Sequence, residues 1–296
     1  MRVALVTTWH ERCGLAAYSE NIVKHLPQVD WRIIGREEWG DNFSNVPLIA
    51  QTCDITHVMH QGGLMGSMSA EVVRACGPRT IITRQCVGDE AVFEAAAIRT
   101  AHVEIPGYRF IPHGIPVVEL VDIRPLIPPR IGCAGIPFDG KGHWEAVQIA
   151  EKLGWGLNLV MPENPHTSQA LALYIRDQCR SKKIPLTLET RWLEEDQVVR
   201  ILQRSAVNVF FYTRWANGIS GAVRMGLAAG RPVVVSRHNQ FQDIIPSGCV
   251  TVANSVDEVA DLILNAVLPY PNNLAEAWGY DKTAAMYYGL YCELYH

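Results

Sequence analysis

Short β-branched runs alternate with helical patterns from one end of the chain to the other, and this alternation limits the fold more than any single motif does. Residues 3–7 precede a helical pattern over 15–26, and 80–83 precede one over 89–100. Further along, 130–134 lead into 142–153, and 157–161 into 167–181. Apolar runs joined by helices build a parallel sheet covered on both faces, so the expected class is α/β. At 296 residues the chain is long for one such domain and sufficient for two cores.

A break falls at 114–130, where Pro116, Pro125, Pro128 and Pro129 interrupt helix and strand alike. The two halves open in the same way. Strand 3–7, a loop ending in Cys13-Gly14 and helix 15–26 are echoed by strand 130–134, a loop holding Gly140-Lys141-Gly142 and helix 143–153. The economical architecture is two Rossmann-like domains facing each other across a cleft, one over 1–117 and one over 118–272. A tail over 273–296 follows. Its stripe of Ala284, Tyr287, Tyr288, Tyr291 and Leu294 keeps helical spacing and fits core packing.

The net charge of −4 gives no global pull toward nucleic acid or anionic membrane. Eight cysteines (Cys13, Cys53, Cys76, Cys86, Cys133, Cys179, Cys249 and Cys292) are scattered without a CxxC pair, and the sequence opens directly on a strand. They read as reduced thiols of a soluble, cytoplasmic protein. His57 and His60 are the close pair that invites a metal reading, but packing or substrate contact suits two strand-end histidines better, and no metal is expected.

Three glycine-bearing turns stand where an open α/β sheet binds its ligands, beyond the strand ends. They are Cys13-Gly14, Asp139-Gly140-Lys141-Gly142, and Asn217-Gly218-Ile219-Ser220-Gly221. The last opens a helix with so little side-chain bulk that its backbone N–H groups are accessible to an anion. Lys141 between two glycines combines a point charge with bare backbone donors, which suits a diphosphate; a solvated loop lysine is the plainer alternative. None of these turns matches GxGxxG or GxxxxGK[ST], which disfavours a simple dinucleotide enzyme or a P-loop NTPase. His60, at the edge of the loop after residues 54–60, can orient or deprotonate a hydroxyl. His57 fits a satisfied core position, and His113 fits either a cleft lining or a strand cap.

Taken in order, these segments resemble the GT-B glycosyltransferases, in particular the retaining nucleotide-sugar enzymes of glycosyltransferase family 4. The opening strand with Cys13-Gly14 is similar to that family's first strand and glycine loop. Asp54-Ile-Thr-His-Val-Met-His60 is similar to its DxxHxxH strand, and Ile111-Pro-His-Gly114 to its IPHG. Gly135-Ile-Pro-Phe-Asp-Gly-Lys-Gly142 resembles the GRxxxxKG phosphate loop, Leu193–Gln203 its acid-led helix, and Gly226-Leu-Ala-Ala-Gly-Arg-Pro-Val-Val234 its EAMAxGxPVV segment. The aromatic tail resembles a helix that crosses back onto the first domain.

The resemblance implies transfer of a hexosyl or pentosyl group from a nucleotide-diphosphate sugar to a hydroxyl acceptor, with retention and without a metal or other cofactor. The donor would sit on the second domain, against Gly14, Lys141, Gly218, Ile219, Ser220, Gly221 and Arg224. His60, Gln85 and Asn217 would take the catalytic positions, with Trp9, His10 and His113 on the acceptor side. The acceptor is a small molecule, a glycan, or a hydroxymethylated DNA base as in viral DNA modification.

Several positions depart from the family pattern. Asn217 and Met225 stand where the family has two glutamates, Ile136 where it has the phosphate-loop arginine, and Gln85 where it has a histidine. A lost charge-assisted hydrogen bond costs about 1.5–3 kcal/mol, so donor binding needs a local replacement, with Arg214, Arg224 and Arg237 as candidates. The alternative is a non-catalytic relative that binds sugar, nucleotide or a protein partner.

Overall fold

The computed structural model describes residues 1–85, 90–119, 124–164, 167, 169–214 and 218–296. They form two compact units. One takes in Met1–Gly114, Tyr280–His296 and the two described residues before Ser220; the other takes in Ile115–Ala216 and Ser220–Gly279.

The first unit is built on β1 (Arg2–Val6), β2 (Asp30–Ile34), β3 (Ile55–His60), β4 (Thr80–Arg84), β5 (Ile98–Ala101) and β6 (Arg109–Phe110). They pair in the order β2-β1-β3-β4-β5-β6, parallel throughout. The second holds β7 (Arg130–Ala134), β8 (Gly156–Val160), β9 (Leu186–Glu189), β10 (Val207–Phe210), β11 (Val233–Ser236) and β12 (Thr251–Ala253). Their order is β12-β11-β10-β7-β8-β9, again parallel. Every residue of β3, β10 and β11 is buried, as befits strands covered on both faces. In each sheet the strand order reverses beside the first strand of that sheet, between β1 and β3 and between β7 and β10. Such switch points open a crevice at the carboxyl edge, because the flanking loops leave in opposite directions.

One expected element is different. Residues 89–100 read as a single helix, but the described part is a short helix, Glu90–Glu94, followed by β5; Asp89 lies outside the described residues. Ala95-Ala96-Ala97 favours a helix locally, whereas Ile98–Ala101 gains a full set of ladder bonds against β4, and pairing overrides propensity.

The aromatic tail helix spans Tyr280–Tyr295 and belongs to the first unit. Tyr280, Ala284, Tyr287, Leu290 and Tyr291 enter the core formed by Val3, Leu5, Tyr18, Ile22, Ile55 and Ile81. Gly114 makes room for it, since a Cβ there would lie 2.2 Å from the Tyr280 ring. The contact is polar as well as apolar. The buried His57 ring meets the Tyr291 hydroxyl at 2.7 Å through Nδ1 and the Thr83 hydroxyl at 2.7 Å through Nε2. Thr83 continues to Thr100 at 2.7 Å and to Tyr287 at 3.2 Å, and Tyr287 meets Tyr18 at 3.1 Å. His57 is thus a structural junction between sheet and helix.

Burial, reinforced by the nearby His102, pushes the His57 imidazole down to about 3. From its ordinary 6.5 down to that value the unfolded chain binds more protons than the folded one, so stability falls as pH is lowered through this window. Exchanging Tyr291 for Phe strands the Nδ1 atom of His57 and is expected to cost about 1–3 kcal/mol in denaturant unfolding. Exchanging His57 for Gln is expected to flatten the acid limb between those two pH values; an unchanged limb would show that the acid sensitivity arises elsewhere.

No helix among the described residues is long and apolar enough to cross a membrane. Nor do three His, Cys, Asp or Glu side chains gather among them as a metal site requires.

Candidate functional site

At the switch point of the second sheet, the loop after β7 ends in Gly142, which precedes the helix His143–Leu153 with φ 82°. Only glycine suits this position, because a Cβ would lie 2.7 Å from the Phe211 carbonyl oxygen and 2.9 Å from its nitrogen. This close approach sets Lys141 beside the end of β10. Its ammonium lies 4.3 Å from the centre of the Tyr212 ring and donates to the Gln240 side-chain oxygen at 2.6 Å. Burial, with no carboxylate to offset it, lowers Lys141 to about 8.

Two acids nearby are committed elsewhere, while Glu145 stands on the wall of the same loop's groove. Asp139 pairs with Arg214 at 2.8 Å, and the buried Asp243 pairs with the buried Arg224. The histidines nearby stay neutral. His143 donates from Nε2 to the Gly135 carbonyl at 3.1 Å, and burial pushes it down to about 4. His238 donates from Nε2 to the Arg214 carbonyl at 2.8 Å and accepts the Gln240 N–H at 3.2 Å through Nδ1, which fixes its tautomer.

The helix Gly221–Ala228 begins on the other side of the switch point. Ser220 holds its N-cap position yet makes no side-chain cap; its hydroxyl lies 2.8 Å from that of Tyr212, and its N–H donates to the Gln240 carbonyl at 3.2 Å. The first turn therefore keeps backbone donors that no cap satisfies, and Gly221 and Ala222 are partly exposed. Among the described residues the ammonium touches neutral groups, Gln240 and Tyr212, and beside an uncapped helix mouth this arrangement is completed by an anion. A groove of about 310 Å³ runs along the same loop from Phe138 to Glu145, walled by Leu171 and Tyr174. A smaller one of about 150 Å³ lies past the ends of β8 and β9, at Met161, Glu163, Arg176 and Thr190.

The carboxyl edge of the first sheet gathers different chemistry. His60 ends β3, buried edge-on to Phe93 at 5.0 Å. Gln85 follows β4, with its N–H donating to the His60 carbonyl at 2.9 Å and its side-chain oxygen 3.2 Å from His102 Nε2. His102 follows β5 and reaches the Ile111 carbonyl through Nδ1 at 2.8 Å. His113 is buried against Tyr18 at 4.6 Å and His102 at 5.1 Å. Toward the other edge, Gly14 is exposed and starts the helix Gly14–Lys24, which the Cys13 sulfur caps. Trp9 is half-buried, while His10 is exposed and held to Glu20 at 3.2 Å.

No family model matches the sequence, and no curated protein matches it either. Solved structures do match, over the whole chain. A glycosyltransferase from Rickettsia africae superposes with a TM-score of 0.71 at 11% identity, covering 99% of this chain and 98% of that one. HepE of Anabaena, solved with UDP and glucose, gives 0.64 at 9%, covering 100% and 95%. An alpha-glucosyltransferase solved with UDP-glucose and DNA containing an abasic site gives 0.60 at 11%, covering 98% and 95%.

The fold is that of the GT-B glycosyltransferases.

Within this GT-B chain, the three arginines expected as substitute cations for donor binding have distinct surroundings. Arg224 is 1% exposed, bound to Asp243 and 5.9 Å from the Trp278 ring. Arg214 is tied to Asp139 on the surface, and Arg237 is exposed. Lys141 and Ser220, with Gly221 next to it, gather around Tyr212 and Gln240; Gly218, with φ 88°, and Ile219 lead directly into Ser220, and Asn217 lies outside the described residues. Sequence reasoning missed Tyr212, His238 and Gln240, which sit in the loops after β10 and β11. It also missed His102, because the segment leading to it read as helix and hid the strand end.

Proposed function

We propose that this chain is a nucleotide-sugar-dependent glycosyltransferase whose donor diphosphate sits on the second unit, against Lys141 and the mouth of the Gly221–Ala228 helix. The observation that carries the reading is the Lys141 ammonium, desolvated at a switch point and held by the neutral Gln240 and Tyr212. As the sugar–phosphate bond breaks, charge builds on the diphosphate, and fixed donors aimed there stabilise it most. In this reading Lys141, Ser220 and Gly221 supply those donors without a metal, and the smaller groove at Glu163 and Thr190 receives the nucleoside. Structures of the same fold with bound UDP and UDP-glucose support a uridine nucleotide.

The acceptor would be a hydroxyl presented on the first unit, near His60, Gln85 and His113, with Trp9 and His10 at its rim. Retention follows from the family resemblance, with Asn217 taking a sugar hydroxyl. A hydroxymethylated DNA base is one acceptor to try, beside small sugars and glycans. The test is calorimetric titration with UDP, GDP, ADP and pyrophosphate, followed by transfer and slow hydrolysis of labelled nucleotide sugars. Binding of a nucleoside diphosphate with release of sugar is expected; failure of every diphosphate to bind would sink the reading.

A second reading, a binding protein of the same fold, is favoured by one feature: Arg224 and Arg214 are both neutralised by acids, so that among the described residues Lys141 is the cation in contact with Tyr212 and Gln240. Diphosphate binding with neither transfer nor hydrolysis would select it.

A further inference from the structure

Gln240 lies in the short turn Asn239–Phe241 after β11, buried, and touches both halves of the anion cradle. Its side-chain oxygen accepts from Lys141, and its backbone carbonyl accepts from Ser220 at the entrance of the Gly221–Ala228 helix. His238 Nδ1 holds its own N–H. Three residues further on, Asp243 grips Arg224 from the second turn of that helix, so turn and helix are pinned at two points.

The chemistry of an amide suits this position. An ammonium has three donors; one spent on Gln240 leaves two for phosphate oxygens, with the Tyr212 ring shielding the remaining side. A carboxylate here would neutralise Lys141 and repel a diphosphate, and an apolar side chain would leave the desolvated ammonium with the ring alone. We propose that Gln240 is a positioning residue for the diphosphate, holding the Lys141 ammonium aimed but unneutralised and in register with the helix mouth. This rests on reading Lys141 as the cation of the donor site.

Around Lys141 stand His143, His238, Tyr212, Glu145 on the wall of the same groove, and the pairs Asp139–Arg214 and Arg224–Asp243, with Cys133 beside Tyr212. The two histidines are lowered and Tyr212 is raised, while Cys133 is pushed up to about 12. Lys141 is therefore the member of this group that changes charge near pH 8.

The experiment is calorimetric titration of the full chain with inorganic pyrophosphate from pH 6.5 to 9, for wild type, Q240M, Q240E and K141M, with far-ultraviolet dichroism as a fold control. Affinities are taken as ratios to wild type at each pH, which cancels the titration of the ligand. Q240M is expected to bind roughly tenfold more weakly at pH 7, with a deficit that grows as pH rises toward 8, because its unassisted ammonium loses the proton sooner. Q240E is also expected to bind more weakly, with a deficit that shrinks as pH rises, because its carboxylate keeps Lys141 protonated. A merely structural role would not send the two trends in opposite directions. Wild-type affinity in both variants, or parallel trends, overturns the proposal; if Q240M does not fold, the Q240E trend decides alone. Wild-type affinity in K141M overturns the underlying reading of Lys141 instead.

Discussion

Replacing Lys141 by methionine is expected to weaken pyrophosphate and nucleoside diphosphate binding by about tenfold to a hundredfold, while the unliganded protein becomes more stable at neutral pH. The first effect follows from losing a charge-assisted hydrogen bond worth about 1.5–3 kcal/mol. The second follows from Lys141 lying at about 8 instead of its ordinary 10.5. Between those values the unfolded chain holds the proton and the folded chain releases it, so stability gained above 10.5 is lost as pH falls to about 8. Below that point the buried ammonium is a standing cost, offset only by Gln240 and Tyr212. Methionine fills similar space without that cost. Calorimetry at pH 7 and thermal unfolding at pH 7 and 10 check both limbs. A mutant that loses affinity and stability together would mean Lys141 is a structural residue.

Exchanging Gly142 for alanine is expected to be strongly damaging to the second unit and to the candidate site together. A left-handed backbone costs a residue with a side chain about 1–3 kcal/mol by itself. The added Cβ would also press on the backbone of Phe211, at 2.7 Å from its oxygen, where no side-chain rotation brings relief. The neighbour of Phe211 is Tyr212, whose ring carries Lys141 and whose hydroxyl meets Ser220. Displacement there unseats the cation and the helix mouth together. The midpoint of thermal unfolding should fall by several degrees, at roughly 2–4 °C per kcal/mol, and pyrophosphate binding should disappear. A variant with wild-type melting and binding would show that the loop after β7 is free to move away from β10.

The sequence carries much of this where local rules apply. Buried parallel strands are written as short apolar runs, β-branched nearly throughout in β4 and β11 but with a single β-branched residue each in β7 and β8. Gly140-Lys141-Gly142 is visible because a lysine between glycines before a helix is rare chemistry in a cheap place. Gln240 is not, because nothing in Ser236-Arg-His-Asn-Gln-Phe241 tells one polar loop residue from the next. Its role exists only once β11 lies beside β10. Arg224 shows the opposite limit: sequence presents it as an available cation, whereas its partner Asp243 is supplied by another loop. The short helix and strand at 90–101 were obscured because three alanines speak for a helix, and what speaks against it is pairing with β4 and β6.

The junction of His57 with Tyr291 has a consequence for biosynthesis. The two side chains are 234 residues apart in the chain. During vectorial synthesis the first sheet leaves the ribosome long before the segment that satisfies its interior. Until then the buried His57 imidazole and the Thr83 hydroxyl lack their tyrosine partners, and the apolar face around Val3 and Ile55 lies bare. The second unit, complete by Gly279, can close first, although it is made later. The segment made after the second unit is what finishes the first, so the first sheet must be kept from aggregating while the second unit is being made.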